Sequence, residues 1–346
     1  MQPSRPSPLV TVVIPAYNAA AFVSQAIESV LAQSWPQLDV VVVDDASTDA
    51  TADVVAPYVA KGLVRLIRHE RNKGLSGARN TGIRQGRGSF VAFLDADDLW
   101  CADHLERAMG VFERHPQLDI VVFDFDVLDL DSGRRIGRWF DQRRSAVDAL
   151  KLTSLGDQVQ EVQGELLTAL FTSCFIHMQA VVARREVFEA VRFDERLRRS
   201  EDLDWLARVG RVGRHRLALC PVVTGTYHRH GSSLTSETPV NYELITLTEW
   251  RLFREYLRWP DLTARQRTLL IEDLSKFGLE LSYYARKRRD WQQAWAFWRK
   301  SLAYGVRGAH LSELIRLLPC ALARLMPRMN PFDGADGAAK RAPVDH

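Results

Sequence analysis

Short apolar runs that alternate with helical segments constrain the fold of the first third of this chain. Residues 9–14 and 38–43 are nearly continuous apolar runs, which are typical of strands buried on both faces. Further strands are predicted at 63–68, 89–94 and 120–125, and segments with helical apolar spacing separate them. Strands that alternate with helices of about 10 to 15 residues predict right-handed βαβ units and a mainly parallel sheet flanked by helices.

Three of these apolar runs end at a proline or at aspartates. The first ends at Pro15 and Tyr17, the second at Asp45, and the fourth at residues 95–98. In open α/β sheets ligands bind beyond the carboxyl ends of the strands, so we expect these residues to face one crevice. A phosphate-bearing ligand is the expected occupant, because helix N-termini supply N–H donors there. Asn18 is expected to cap the first helix.

Residues 95–98 contain three carboxylates directly after an apolar strand. Carboxylates this close together repel one another and favour protonation unless a cation neutralises them. Mg²⁺ and Mn²⁺ prefer oxygen ligands of this kind, and substrate phosphates usually complete their coordination. The alternative is an acidic loop that caps a helix beginning near Asp103, and the stretch alone leaves both interpretations open.

Composition narrows the class of protein. The 346 residues carry a formal charge of +3, so charge gives no argument for nucleic acid as a partner. The N-terminus lacks the apolar core of a signal peptide, and no uncharged apolar span of about 18 residues occurs. We therefore expect a cytoplasmic protein that does not cross a membrane. The four cysteines are scattered and favour neither a zinc site nor a disulfide framework.

The chain changes character near residue 238. Beyond it, four segments have helical apolar periodicity and no strand is predicted. We expect a flexible N-terminus at 1–8, a nucleotide-binding domain at 9–238, a helical extension at 239–330 and a disordered tail at 331–346. The last helix carries a leucine-rich stripe, for which packing on its neighbours, peripheral membrane contact and a homodimer interface remain open.

Four motifs follow one another along the first hundred residues. They are VVIPAYN at 12–18, VDDASTD at 43–49, GLSGARNTGI at 74–83 and LDADD at 94–98. In this order they resemble the successive signatures of the family-2 glycosyltransferases with the GT-A fold, over about residues 9–236. The resemblance implies a nucleotide-diphosphate sugar donor, a Mg²⁺ or Mn²⁺ cofactor, and inversion at the anomeric carbon.

The resemblance also assigns residues to the nucleotide. Pro15 and Tyr17 would line the base pocket, and Asp45 would accept a hydrogen bond from a base N–H. Arg79 would approach the nucleotide or its phosphates, and Asp95 would contact the ribose or the metal. A helix cap for Asp45, a packed aromatic for Tyr17 and a surface ion pair for Arg79 are the alternatives.

The metal site that the resemblance implies has two parts. Asp97 would be the main ligand, and His230 would bind the metal or the diphosphate, because the segment 227–235 is similar to the family's Tyr-x-x-His-x-x-Ser pattern. Asp98 would hold sugar hydroxyls or cap the next helix.

A later segment extends the resemblance to the catalytic base. Glu201 and Asp202 follow a Phe-Asp-Glu motif at 193–195 and match the family's Glu-Asp pair, whose second carboxylate is the base. The resemblance therefore assigns the base to Asp202, with Asp204 as the alternative, and places Glu201 at the sugar or acceptor. A carboxylate suits this role, because a sugar hydroxyl is a poor nucleophile until a base takes its proton. An ordinary acidic first turn of a helix is the other interpretation.

The predicted function is inverting, non-processive transfer of a sugar to a saccharide or lipid-linked saccharide, in surface polysaccharide or glycoconjugate biosynthesis. Such an enzyme would work in the cytoplasm or at the inner face of the cell membrane. A nucleotidyltransferase of similar fold is disfavoured, because the first strand is followed by residues 15–18 rather than by a glycine-rich loop. A catalytically inactive nucleotide-sugar-binding scaffold is the other alternative.

Overall fold

The computed structural model describes residues 7–231 and 238–325. The predicted flexible segment 1–8 lies mostly outside these residues, and the predicted tail at 331–346 lies entirely outside them. The first part of the chain alternates strands and helices: β1 (Val10–Ala16), α1 (Val23–Leu31), β2 (Leu38–Asp44), α2 (Thr51–Ala60), β3 (Arg65–Arg68), α3 (Gly74–Gln85) and β4 (Phe90–Phe93).

The following part contains shorter elements and a long final strand. In chain order they are β5 (Leu99–Trp100), α4 (His104–Arg114), β6 (Ile120–Asp129), β7 (Arg134–Arg138), α5 (Trp139–Gln142), α6 (Arg144–Val147), β8 (Lys151–Gly156), β9 (Val159–Gly164), α7 (Leu166–Thr172), a 3-10 helix (Met178–Ala180), β10 (Val181–Arg184), α8 (Arg185–Ala190), α9 (Glu201–Val212), β11 (Leu217–Arg229) and α10 (Pro239–Tyr256).

The strands form one sheet in the order β3-β2-β1-β4-β10-β6-β11-β9-β8, with β5 paired to β11 and β7 to β6. β1 runs parallel to both β2 and β4, with Val13 opposite Val41 on one side and Phe93 on the other. These three strands therefore end at the same edge, as the sequence predicts. Every second apolar side chain of these strands belongs to the main core, together with apolar side chains of α1 and α4.

Beyond β4 the sheet becomes mixed. β10 runs antiparallel to β4 and to β6, whereas β6 and β11 are parallel. β11 has two irregularities in its register with β6, between Cys220 and Val223 and between Val223 and Thr226. Irregularities of this kind bend a strand. At the second irregularity β11 pairs with β5, with Gly225 opposite Trp100, so this part of β11 is held beside the loop that follows β4.

A glycine sets the distance between α3 and the sheet. A Cβ added at Gly82 would lie 2.2 Å from Cγ1 of Val13 in β1, much closer than two carbon atoms can approach. Any side chain here would push α3 away from β1. The glycine therefore keeps α3, and with it Arg79, close to the strands.

One local prediction was wrong. Asn18 does not cap α1, which begins at Val23 with Phe22 as its N-cap residue. Asn18 has a φ of 50°, and its Oδ1 accepts a hydrogen bond of 2.9 Å from the backbone N–H of Thr48. Its own N–H donates to Oγ of Ser47 at 3.0 Å. The residue thus joins the loops after β1 and β2, a tertiary role that a local capping rule does not anticipate.

The chain divides into two compact units, residues 1–270 and 271–346. α11 (Ala264–Lys287) begins in the first unit and continues in the second, which also contains α12 (Trp291–Leu302) and α13 (Gly308–Leu325). Among the helices described, none combines the length and the apolar character needed to cross a bilayer. The division predicted at residue 238 stays a prediction.

Candidate active site

The acidic loop between β4 and β5 holds its carboxylates in different surroundings. Asp98 is fully buried, and its Oδ1 accepts a hydrogen bond of 2.8 Å from the backbone N–H of His228. Its Oδ2 is buried with no hydrogen-bond partner among the described residues. Burial raises the pKa of Asp98 well above its usual value, and the charges of Asp97 and Asp95 raise it further. This loop is therefore unfavourable for negative charge when no cation is bound.

The end of β11 supplies two histidines to the same loop. Nδ1 of His228 donates to the backbone carbonyl of Asp97 at 2.6 Å, and Nε2 of His230 lies 3.0 Å from Oδ2 of Asp97. The ring of His230 stacks on Phe22, with centroids 4.6 Å apart. The predicted pair of Asp97 and His230 is thus brought together, and Phe22 joins it to the loop after β1.

Arg79 links this loop to α9. Its Nη2 donates to Oδ1 of Asp95 at 3.0 Å, and its Nη1 donates to Oε1 of Glu201 at 2.8 Å. The guanidinium also lies over the rings of Phe93 and Phe193, at 5.7 and 5.6 Å from their centroids. Arg79 is only 1% exposed, so both ion pairs are shielded from water. In this arrangement its two amino groups already bind carboxylates, and its predicted contact with the nucleotide stays a prediction.

The first turn of α9 contains the predicted base. Glu201 is paired with Arg79, and Asp204 is paired with Arg208 at 2.7 Å and accepts a hydrogen bond of 3.0 Å from the hydroxyl of Tyr256. Asp202 lies between them and accepts a hydrogen bond from the N–H of Leu203 at 2.7 Å. Within the described part of the chain, Asp202 forms no ion pair.

The surroundings of Asp202 change its acidity. Burial and the nearby charge of Glu201 raise the pKa of Asp202 to about 7. A carboxylate with this pKa can both accept and release a proton near neutral pH, which is what a general base requires.

Helix α10 supports the segment that leads to the base. Ser200 has a φ of 56°, an uncommon conformation for serine, and its hydroxyl donates to Oε1 of Glu249 at 3.2 Å. The neighbouring Arg199 donates to Oδ1 of Asn241 at 3.3 Å. Since Tyr256 of the same helix holds Asp204, α10 contacts both sides of Asp202.

The predicted base pocket lies at the ends of β1 and β2. Pro15 is buried opposite Val43, whereas Tyr17 is 51% exposed just beyond the strand. Asp45 is buried, and its carboxylate accepts hydrogen bonds from the backbone N–H groups of Lys73 and Gly74, at 2.8 and 2.7 Å.

The ring of His69 also contacts this carboxylate, with its Nδ1 at 2.7 Å from Oδ1 of Asp45. A carboxylate has about four lone-pair positions. Asp45 therefore retains capacity for one more donor.

The motifs that point to a family thus come together around one edge of the sheet. A model described as "Glycosyl transferase family 2" matches residues 11–164. The amylovoran biosynthesis glycosyltransferase AmsB of Erwinia amylovora is 32% identical over 265 residues, which cover 74% of this chain and 79% of that protein. The chain belongs to glycosyltransferase family 2. The succinoglycan biosynthesis protein ExoO of Rhizobium meliloti is 38% identical over 231 residues, which cover 65% of this chain and 62%, less than two thirds, of ExoO.

A solved structure supports the fold of this family-2 chain. The mannosyltransferase PcManGT from Pyrobaculum calidifontis, solved in complex with GDP-Man and Mn²⁺, matches 92% of this chain and 81% of its own, with a TM-score of 0.56 and 20% identity. At 20% identity this match supports the fold alone. The predicted GT-A-type α/β fold, with helices flanking the sheet and a helical C-terminal region, is confirmed.

His177 is a candidate site residue of this family-2 chain that the sequence analysis missed. One ligand atom from each of Asp95, Asp98 and His177 lies within 4.8 Å of the other two. Nδ1 of His177 is buried without a hydrogen-bond partner among the described residues, and burial lowers the pKa of the ring. A neutral imidazole beside two carboxylates is a donor set that suits a divalent cation. The only available signal was a histidine inside an apolar stretch, in a region without clear periodicity.

Proposed function

We propose that this chain transfers a sugar from a nucleoside-diphosphate donor to a hydroxyl group of a saccharide or lipid-linked saccharide, with inversion and without processivity. The observation that carries the proposal is the first turn of α9. There, two carboxylates are neutralised by arginines, whereas Asp202 between them forms no ion pair among the described residues and has a pKa of about 7. The alternative of an inactive scaffold does not account for such a carboxylate.

The reaction that fits this site is a single displacement. Asp202 accepts the proton of the acceptor hydroxyl while the oxygen bonds to the anomeric carbon. The bond between that carbon and the donor phosphate breaks, through an oxocarbenium-like state, and the nucleoside diphosphate leaves with the electron pair. Attack from the side opposite the leaving group inverts the anomeric centre.

The donor set fits a Mg²⁺ or Mn²⁺ ion, because Asp98 has a buried carboxylate oxygen without a partner next to other oxygen and nitrogen ligands. Asp97 and His230 would hold the ion, with Asp95 and Asp98 of the loop after β4 and His177, which precedes the 3-10 helix, as further ligands. When bound, the ion supplies positive charge to the departing diphosphate. Arg79 acts as a positioning residue, since it fixes Asp95 and Glu201 relative to each other.

Pro15, Tyr17 and Asp45 would form the base pocket, with the remaining capacity of Asp45 accepting an N–H from the base. Uracil, thymine and guanine all offer such an N–H. Asp98 and Glu201 stay proposed contacts of the sugar or acceptor. The names of ExoO and AmsB, a succinoglycan and an amylovoran biosynthesis protein, support a role in polysaccharide biosynthesis. We keep 9–238 as the proposed catalytic domain, acting on the cytoplasmic side of the membrane.

A two-stage experiment tests the proposal. Thermal-shift measurements with UDP-, GDP- and dTDP-sugars, each with and without Mn²⁺ or Mg²⁺, identify the donor first. Donor consumption is then measured with EDTA and with the variants Asp97→Ala and His177→Gln. We expect consumption that requires the metal and falls in both variants. Metal-independent binding without any consumption, in the presence of saccharide acceptors, would instead support the scaffold.

A further inference from the structure

The last helix exposes an apolar face. Leu311, Ile315 and Leu318 of α13 are 62%, 59% and 43% exposed, and their spacing places them on one side of the helix. Leu317 points in another direction and is fully buried. An amphipathic helix in a water-soluble unit normally turns its apolar stripe to the core. α13 therefore buries one apolar residue, Leu317, and exposes a separate apolar face.

The helix is fixed in place by its inner side. Leu317 packs with Ala285 and Ala294 in a small core that also contacts the tryptophans of α12. Nε1 of Trp298 donates to the carbonyl of His310 at 3.0 Å, and Arg286 pairs with Glu313 at 2.8 Å. The outward face of Leu311, Ile315 and Leu318 is therefore presented by a packed helix.

The same unit concentrates positive charge. Residues 271–346 contain 13 Lys and Arg against 8 Asp and Glu, a formal charge of +5, whereas the other 270 residues carry −2. Four consecutive basic residues, 286–289, lie at and just beyond the end of α11, but the pair of Arg286 with the buried Glu313 places this run on the inner side of α13. Arg307 directly precedes α13 and Arg316 lies in its middle, and both are exposed. These two arginines place positive charge on the segment that carries the apolar face, in a unit whose net charge is positive.

We propose that the face formed by Leu311, Ile315 and Leu318 binds the surface of an anionic membrane, with α13 lying in the plane of the interface. A helix with apolar residues on one side and basic residues beside them binds in this way, because acyl chains take the apolar side chains and anionic headgroups attract the basic ones. If the acceptor is lipid-linked, as in the proposed function, this contact keeps the enzyme on the surface that carries the acceptor. The binding itself does not depend on that function.

A second copy of the chain fits this face less well. Two such faces brought together would also bring together two units of charge +5. Like charges at that distance repel each other. Three aliphatic side chains also cover much less than the roughly 800 Å² per partner of a stable protein interface. An anionic lipid surface has the opposite charge and needs no matching protein surface.

Vesicle sedimentation with the full chain tests the proposal. We expect binding to phosphatidylcholine vesicles that contain phosphatidylglycerol, weak binding to pure phosphatidylcholine, and loss of binding at high salt. Leu311→Ser with Ile315→Ser should weaken binding at least tenfold. Arg307→Glu with Arg316→Glu should weaken it by more than tenfold, since each basic residue near an anionic surface contributes about fivefold. Leu63→Ser with Val212→Ser removes apolar residues of the other unit that are 46% and 47% exposed, and it should not change binding.

Equal binding by all variants, or none by the unaltered chain, would overturn the proposal. So would sedimentation velocity showing a dimer that Leu311→Ser with Ile315→Ser converts to monomer, because the face would then bind a second copy. If the serine variant loses its helical circular dichroism, the charge-reversal variant still decides the matter. Donor consumption in vesicle-free buffer should stay unchanged in all these variants, which separates this test from that of the proposed function.

Discussion

The loop after β4 and the first turn of α9 each contain three carboxylates, and the two clusters differ in how these carboxylates are neutralised. In the loop, burial and the mutual repulsion of neighbouring carboxylates raise the pKa values of Asp97 and Asp98. In α9, Glu201 and Asp204 each have an arginine, and only Asp202 is left without one among the described residues. The crowded carboxylates of the loop favour the binding of a cation. In α9, two of the three carboxylates are neutralised by arginines, so one remains to accept a proton. The difference separates a proposed metal site from a proposed base.

Arg79 belongs to both clusters. It forms an ion pair with one carboxylate of each cluster, Asp95 and Glu201. Its guanidinium lies over the aromatic rings of Phe93 and Phe193. The two clusters are therefore held at a fixed separation by one buried side chain.

The largest effect is expected from Asp202→Asn. The amide cannot take a proton, so kcat should fall roughly a hundred- to ten-thousand-fold, the usual contribution of a general base. Donor affinity, measured by calorimetry, should stay within about twofold, because the change is isosteric and lies away from the proposed base pocket. Asp204→Asn is the matched control and should lower kcat only a few-fold, since its carboxylate is already occupied by Arg208 and Tyr256 and only positions Asp202. A fully active Asp202→Asn enzyme would remove the proposed base.

The link between the clusters is tested by Arg79→Met. This change leaves Asp95 and Glu201 without their buried cation, which should lower the free energy of unfolding by about 3–5 kcal/mol. Urea denaturation measures it. Arg107→Met breaks an exposed pair with Asp103 and should cost less than about 1 kcal/mol. If both variants lose the same free energy of unfolding, the ion pairs of Arg79 stabilise the protein no more than an exposed pair, and Arg79 does not hold the two clusters together.

The pKa of Asp202 predicts a specific pH dependence. Because its pKa is about 7, the carboxyl group becomes protonated as the pH falls below that value and can no longer act as a base. The value of kcat/KM should therefore drop about tenfold for each pH unit on the acid side. The residual activity of Asp202→Asn should lack this limb. A limb at the same pH in that variant would assign the titration to another group.

The comparison also separates what the sequence predicts from what it does not. The order of β1 to β4, their common edge and the acidic loop follow from local apolar runs and the residues that end them. The proximity of Asp97 and His230, which are 133 residues apart, could be predicted only from a family resemblance. Asn18 was misassigned because its partner is Thr48 in another loop. His177 was missed because its ring packs against side chains of β6 and β11, distant contacts that no local pattern encodes.

The smallest effect is expected from Tyr256→Phe. The change removes the hydrogen bond of 3.0 Å from the Tyr256 hydroxyl to Asp204 but leaves the pair with Arg208. It should lower the free energy of unfolding by about 1–2 kcal/mol and kcat by only a few-fold, because Asp204 helps to position Asp202 without touching substrate. Tyr58→Phe removes a similar but exposed hydrogen bond of 2.8 Å, from α2 to Glu28 of α1, and should leave kcat unchanged. If both variants keep full kcat, α10 stabilises the fold but does not position the base, and the first turn of α9 alone sets the acidity of Asp202.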